Sequence, residues 1–166
     1  SQGTVGGSGT VAGNLTLAGG QLAPGMGAGR LSEGTATLVG GTYQVEFASA
    51  TGTAGTSWDQ LRVGAGVGAL DYTGAAAGSI TLDVVCASSS LPGFDATQNY
   101  SWSVADAGSQ SGFSSTLFTI RTNNFAPSLR EGSFSVRASG GDLFLDFTAA
   151  TPVDLRVSVT DRKSVV

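Results

Sequence analysis

The sequence predicts an all-β fold with essentially no α-helix, and three observations carry that prediction. A phrase returns three times, as Gly40-Gly41-Thr42-Tyr43-Gln44-Val45-Glu46-Phe47, as Gly78-Ser79-Ile80-Thr81-Leu82-Asp83-Val84, and as Gly140-Gly141-Asp142-Leu143-Phe144-Leu145-Asp146-Phe147. Each is a glycine break followed by alternation of apolar and polar residues, the period of a strand with one buried face. A shorter phrase, Thr16-Leu17-Ala18-Gly19-Gly20, is echoed 21 residues later as Thr37-Leu38-Val39-Gly40-Gly41, about the length of one β-solenoid coil. Helical spacing is missing from every long stretch of the chain. The expectation is a parallel β-helix, or β-solenoid, over residues 13–85, continuing into a longer-strand β region at 94–160.

The elements follow from the same rules. Residues 1–12 are Gly-rich with Val5 and Val11 as their only large apolar residues, and read as a linker or an exchanged edge strand. Residues 14–17 form a short strand and Pro24-Gly25 a turn, with a second turn region at 26–34. Strands follow at 36–39 and 42–47, parted by Gly40-Gly41, then at 58–63, 67–72 and 80–84. After the loop Ser88–Gly93 the strands are richer in aromatic residues: Tyr100, Trp102 and Val104 alternate with serine, then Phe118 with Ile120, then Phe134 with Val136 and Ala138. Leu143, Leu145 and Phe147 share one face, and after Pro152 so do Leu155, Val157 and Val159. One-sided alternation is commoner in antiparallel sheets, which favours a sandwich for the second half, whereas the echo and the glycine pairs favour a solenoid for the first. Glycine pairs let the chain turn with positive φ, and Thr or Ser at matching positions of successive coils can stack. We read one β domain at 13–166, with Gly-rich coils at 13–87 and an aromatic-richer portion at 94–166.

Composition narrows the function. Of 166 residues 26 are Gly and only 12% are charged, so charge has given way to small turn-forming residues. Disorder is confined at most to the first ten residues, because regularly spaced β-branched and aromatic residues fill the rest. The net charge is −4, lysine occurs once, at Lys163, and the arginines stand singly, which argues against nucleic acid as a partner. No run is long enough to span a membrane as an apolar helix, so no membrane insertion is expected. Cys86 is alone, at the end of an apolar run, and reads as a buried structural thiol. Low cysteine is compatible with a bacterial exported protein. The first residue is Ser rather than Met, from which a processed or excised segment is expected.

The segments 14–25, 40–47, 58–63 and 78–84 resemble the autotransporter-associated β-strand repeats of large secreted bacterial proteins, and 132–147 is similar to the segment that ends such arrays. The resemblance covers roughly residues 13–147. It implies an exported right-handed β-helix with a surface or matrix role and no catalytic residues. The chain departs from the family in being short and in lacking a membrane-anchoring barrel.

Candidate chemistry is sparse. The chain has no His, which removes Ser-His-Asp and Cys-His catalysis and most zinc sites. Gly6–Gly9 and Gly64–Gly68 lack the Lys-Ser/Thr and the helix of a phosphate loop, so they read as turn glycines. Glu46, Asp83 and Asp146 occupy one place in the repeated phrase and are the only candidates for a glycosidase pair, against the preferred reading of solvent-facing charges that blunt an exposed sheet. Asp59, Asp71 and Asp83 are evenly spaced, a weak calcium signal with no Asp-Gly loop to support it. Among Tyr43, Trp58, Tyr72, Tyr100 and Trp102 core packing is preferred, and Trp58 is the one expected to be exposed and free to stack on a sugar.

The functional expectation is therefore a non-enzymatic extracellular or cell-surface structural protein, a solenoid subunit of a self-assembling filament or layer, without catalytic residues, cofactor or bound metal. Its copies join head to tail through β contacts at Val5, Val11, Leu155, Val157 and Val159. The alternative is a carbohydrate-binding or adhesin module with polysaccharide as the partner.

Overall fold

The structure is a computed structural model that describes residues 3–86 and 88–151; Leu155, Val157 and Val159 lie outside the described residues. Within these it is all-β, with thirteen strands, two single-turn 3-10 segments and no α-helix. The strands are β1 (Thr4–Gly7), β2 (Gly9–Thr10), β3 (Asn14–Pro24), β4 (Arg30–Glu33), β5 (Thr35–Glu46), β6 (Gln60–Val63), β7 (Ala69–Asp71), β8 (Ile80–Val85), β9 (Tyr100–Asp106), β10 (Ser109–Ser111), β11 (Phe118–Arg121), β12 (Ser133–Ser139) and β13 (Asp142–Thr148).

They form two sheets. In the first, β1, β3 and β5 lie parallel in chain order; the start of β5 then pairs with β7 and its end with β8, and these pair with β10 and β11, all parallel. The second runs β2, β4, β6, β9 in parallel and is closed by β13 and β12, which are antiparallel. The second half thus combines the antiparallel pairing that its alternation predicts with parallel strands continuing from the first half.

The 21-residue echo is a register. Thr16 and Leu17 pair directly with Thr37 and Leu38. Farther along, Thr4, Gln21, Thr42, Thr81 and Thr119 form one row across five parallel strands, and Val5, Leu22, Tyr43, Leu82 and Ile120 form the row beside it. The first row is polar and the second mostly buried, which is what period 2 dictates when strands stack without slipping.

The glycine pairs do not separate strands as expected. β3 runs through Gly19-Gly20 and β5 through Gly40-Gly41, with the register shifting between Leu17 and Gln21. The reason is close approach at a corner. Gly41 has φ +104°, and a Cβ there would sit 3.0 Å from the Gly19 backbone. One glycine corner is stacked on the next, and a side chain would push them apart.

Face assignment follows the alternation. Tyr43, Val45, Ile80, Leu82, Val84, Leu143 and Leu145 are fully buried in one continuous core, while Gln44 and Glu46 are only partly covered. Residues 4–7 are an edge strand rather than a linker. Within the turn region predicted at 26–34 lies β4, and the strand predicted at 67–72 shrinks to β7 because Val67 and Gly68 close the 3-10 turn Gly64–Gly66, their N–H groups donating to Gly64 O and Val63 O.

Candidate functional site

The repeated carboxylates do not converge. Asp83 is buried under a bidentate ion pair: Arg121 Nε and Nη2 donate to Oδ1 and Oδ2 at 2.9 and 2.7 Å, and Asn124 adds a donor at 3.2 Å. Register explains the pairing, since Arg121 and Asp83 are direct neighbours in β11 and β8. The residue opposite Asp83 in β5 is Gln44, so Glu46 is displaced two positions along the strand. Asp146 belongs to the other sheet, where Arg137 Nε donates to it at 2.9 Å across the β12–β13 pair. Asp83 and Asp146 are thus each engaged by an arginine, in different sheets, and Glu46 lies two positions along β5 from the neighbour of Asp83.

The evenly spaced aspartates are likewise separated by their partners. Asp59 receives the backbone N–H groups of Gly29 at 2.8 Å and Glu46 at 2.9 Å and so ties two turns together. Burial pushes its carboxyl up to about 7 despite those donors. Asp71 accepts from Thr73 N and Ser111 Oγ, and these bonds hold its pKa below the usual carboxylate range. Among the described residues no group of three or more potential metal ligands gathers.

Trp58, expected to be exposed, is buried, with 9% of its surface accessible. Its indole N–H donates to Ser103 O at 3.0 Å, and Phe47 bridges to its backbone. The loop before it folds back, Gly55 N donating to Trp58 O at 2.7 Å, so the ring is tucked under the chain. Tyr43, Tyr72 and Trp102 are core residues as expected, and Tyr100 is half-buried and stacked on Trp102 with centroids 5.2 Å apart.

Glu33 is the acid that sequence reasoning passed over. It is 3% exposed, and neither carboxylate oxygen has a hydrogen-bond partner among the described residues. Burial alone raises its pKa to about 7. Its place was signalled by Leu31 two residues earlier, since period 2 puts both on one face of β4. Tyr72 Oη and Gln110 Oε1 are further buried oxygens without a partner among the described residues.

The strand edges can also act on another molecule. β1 and β2 each have a single neighbour among the described residues, as do β10 and β11 at the far end of the first sheet. Gly3 O, just before β1, and Gly7 N, at its end, are used inward, toward Gln21 and Gly25. Parallel pairing alternates, so the N–H and C=O of Thr4 and Gly6 face outward. Val5 is 41% exposed beside them, and Val11 packs partly against the core, its N–H held by Ser32 O at 2.8 Å. No helix among the described residues is long and apolar enough to cross a membrane. Compared with family models, with curated proteins and with solved structures, the chain matches none.

Proposed function

We propose that the chain is a β-solenoid module with a non-enzymatic structural role outside the cell or at its surface, whose copies join end to end through strand edges. The observation that carries the reading is the five-strand row Val5, Leu22, Tyr43, Leu82, Ile120, parallel and in chain order, accompanied by β2, β4, β6 and β9 in the same sense. Parallel neighbours met in sequence order, with the chain passing from one sheet to the other and back, are how a solenoid is wound. The phrases that resemble autotransporter-associated repeats lie on these strands, which supports the same reading and the exported location.

A row whose end strand has a single neighbour among the described residues offers backbone donors and acceptors to the next copy. The contact is heterologous, so it propagates as a filament. Thr4→Pro tests it, because proline there removes an outward N–H and leaves the β1–β3 bonds in place. The parent should form filaments in electron micrographs and sediment as a concentration-dependent assembly, while the variant keeps its far-UV circular dichroism and stays monomeric. A parent that remains monomeric at high concentration, or a variant that assembles as the parent does, overturns the proposal.

A further inference from the structure

A cleft of about 520 Å³ opens between the loop after β8 and the loop that leads from β11 to β12. We propose that this cleft is a binding site for a neutral saccharide, one or two pyranose units, with Asp95 and Arg130 as its polar contacts and Phe94 as its apolar wall. The inference does not depend on end-to-end assembly, since the cleft is built from loops and not from an open strand edge.

The loop that carries Asp95 is fixed before any ligand arrives. Tyr100 Oη donates to Gly93 O at 2.8 Å and accepts from Asp95 N at 2.7 Å, which clamps the loop to the start of β9. Phe94 is stacked on Tyr100, with centroids 5.4 Å apart, and stands edge-on to Phe125 and Phe147 at 5.5 and 5.1 Å. The ring stays partly exposed and lines the cleft while three aromatic neighbours hold it in place. The Asp95 carboxylate takes both of its hydrogen bonds, from Thr97 N and Oγ1, on Oδ1, which leaves Oδ2 for a ligand hydroxyl. These bonds, with a smaller contribution from Arg130, keep the carboxyl ionised.

On the opposite side, Arg130 and Glu131 have φ of +46° and +70°, two successive non-glycine residues in the left-handed region. Such backbone is rare and collects where a side chain has to be aimed. Here it presents Arg130 to the cleft, while Ser128 and Ser90 add hydroxyls.

The chemistry of the lining selects the ligand. One carboxylate and one guanidinium cancel, so an anion such as phosphate would face Asp95 and a cation would face Arg130. A sugar hydroxyl both donates and accepts and satisfies each partner, and the C–H face of a pyranose ring covers an aromatic wall. The volume falls within the range of about 300–1,000 Å³ typical of small-ligand sites. No second acid lines the cleft, which suits binding without hydrolysis.

Arg130→Gly provides the test, because glycine accepts positive φ and the variant loses the guanidinium while gaining a relaxed turn. Glu131→Gly relaxes the neighbouring position and leaves the lining intact. The parent, titrated with glucose, galactose, mannose, N-acetylglucosamine, maltose, cellobiose and lactose, should show saturable shifts of the amide resonances of Phe94, Thr97 and Arg130 with at least one of them. Arg130→Gly and Asp95→Asn should weaken that binding about tenfold or more, with the thermal midpoint of Arg130→Gly no lower than that of the parent, and Glu131→Gly should bind as the parent does. The proposal is overturned if no sugar of the panel moves those resonances, if Arg130→Gly binds unchanged, or if inorganic phosphate occupies the cleft in place of the sugars.

Discussion

Glu33 makes the stability of this protein depend on pH in an unusual direction. The residue is 3% exposed, its carboxyl has no hydrogen-bond partner among the described residues, and burial raises its pKa from 4.5 to about 7. The folded chain therefore holds the proton more tightly than the unfolded chain between those values. Stability is full below the unfolded value and falls as pH rises through about 7. At about 1.4 kcal/mol per pKa unit the loss is bounded near 3.5 kcal/mol, and relaxation of the surroundings around the new charge lowers the expected figure to about 2. For a chain of this size about 2 kcal/mol is a shift of roughly 4–8 °C in thermal midpoint. Urea denaturation of the parent and of Glu33→Gln, in parallel from pH 4.5 to 8.5, checks this. The parent should lose stability toward high pH, and Glu33→Gln should lose less, retaining only the slope from Asp59, whose pKa is also raised to about 7. A parent that is flat or gains stability with pH, or a Glu33→Gln slope equal to the parent's, would refute the argument.

Three further outcomes are expected. Tyr43→Phe removes the hydroxyl that donates to Val104 O and accepts from Leu61 N, leaving two buried backbone groups unpaired, and should cost about 2 kcal/mol by chemical denaturation with the fold retained. Gly41→Ala should destabilise more than Gly140→Ala, because a Cβ at Gly41 meets the Gly19 backbone at 3.0 Å whereas one at Gly140 meets nothing within 4 Å; equal thermal shifts would deny the stacked corners. Val45→Asp and Leu145→Asp should each prevent folding, and Glu46→Ala should leave the circular dichroism and melting profile nearly unchanged, since only the first two place a charge in the core.

What could be read from the sequence was whatever period 2 and glycine spacing encode. The buried sets Tyr43, Val45, Phe47 and Leu143, Leu145, Phe147 follow from alternation alone. The echo of Thr16-Leu17 in Thr37-Leu38 foreshadowed a pairing register. Short strands were harder: β2 and β10 have too few residues to show a period, and only parallel neighbours define them. Trp58 illustrates a different limit. It follows a polar loop, so its exposure looked natural, but the loop returns over it and Ser103, 45 residues away, takes its N–H. The cleft is invisible to pattern reading because Asp95 and Arg130 meet through two irregular loops, and neither loop carries a period.

Shortening the chain bears on end-to-end assembly in a way that a side-chain change does not. Removing residues 1–12 deletes β1 and β2, but β3 and β4 then become the edges, because each strand in the parallel rows resembles the one it covered. Leu22 and Leu31, 0% and 4% exposed in the intact chain, lose cover that β1 and β2 had given them. The new edge is more apolar than the old one, whose only large exposed residue is Val5. The truncated chain should therefore still assemble, and with less order. Thr4→Pro should not, because it removes a donor without uncovering another strand. Loss of assembly on truncation together with its persistence in Thr4→Pro would mean that residues 1–12 act through a specific sequence, and that the open edge of the row is not the joining surface.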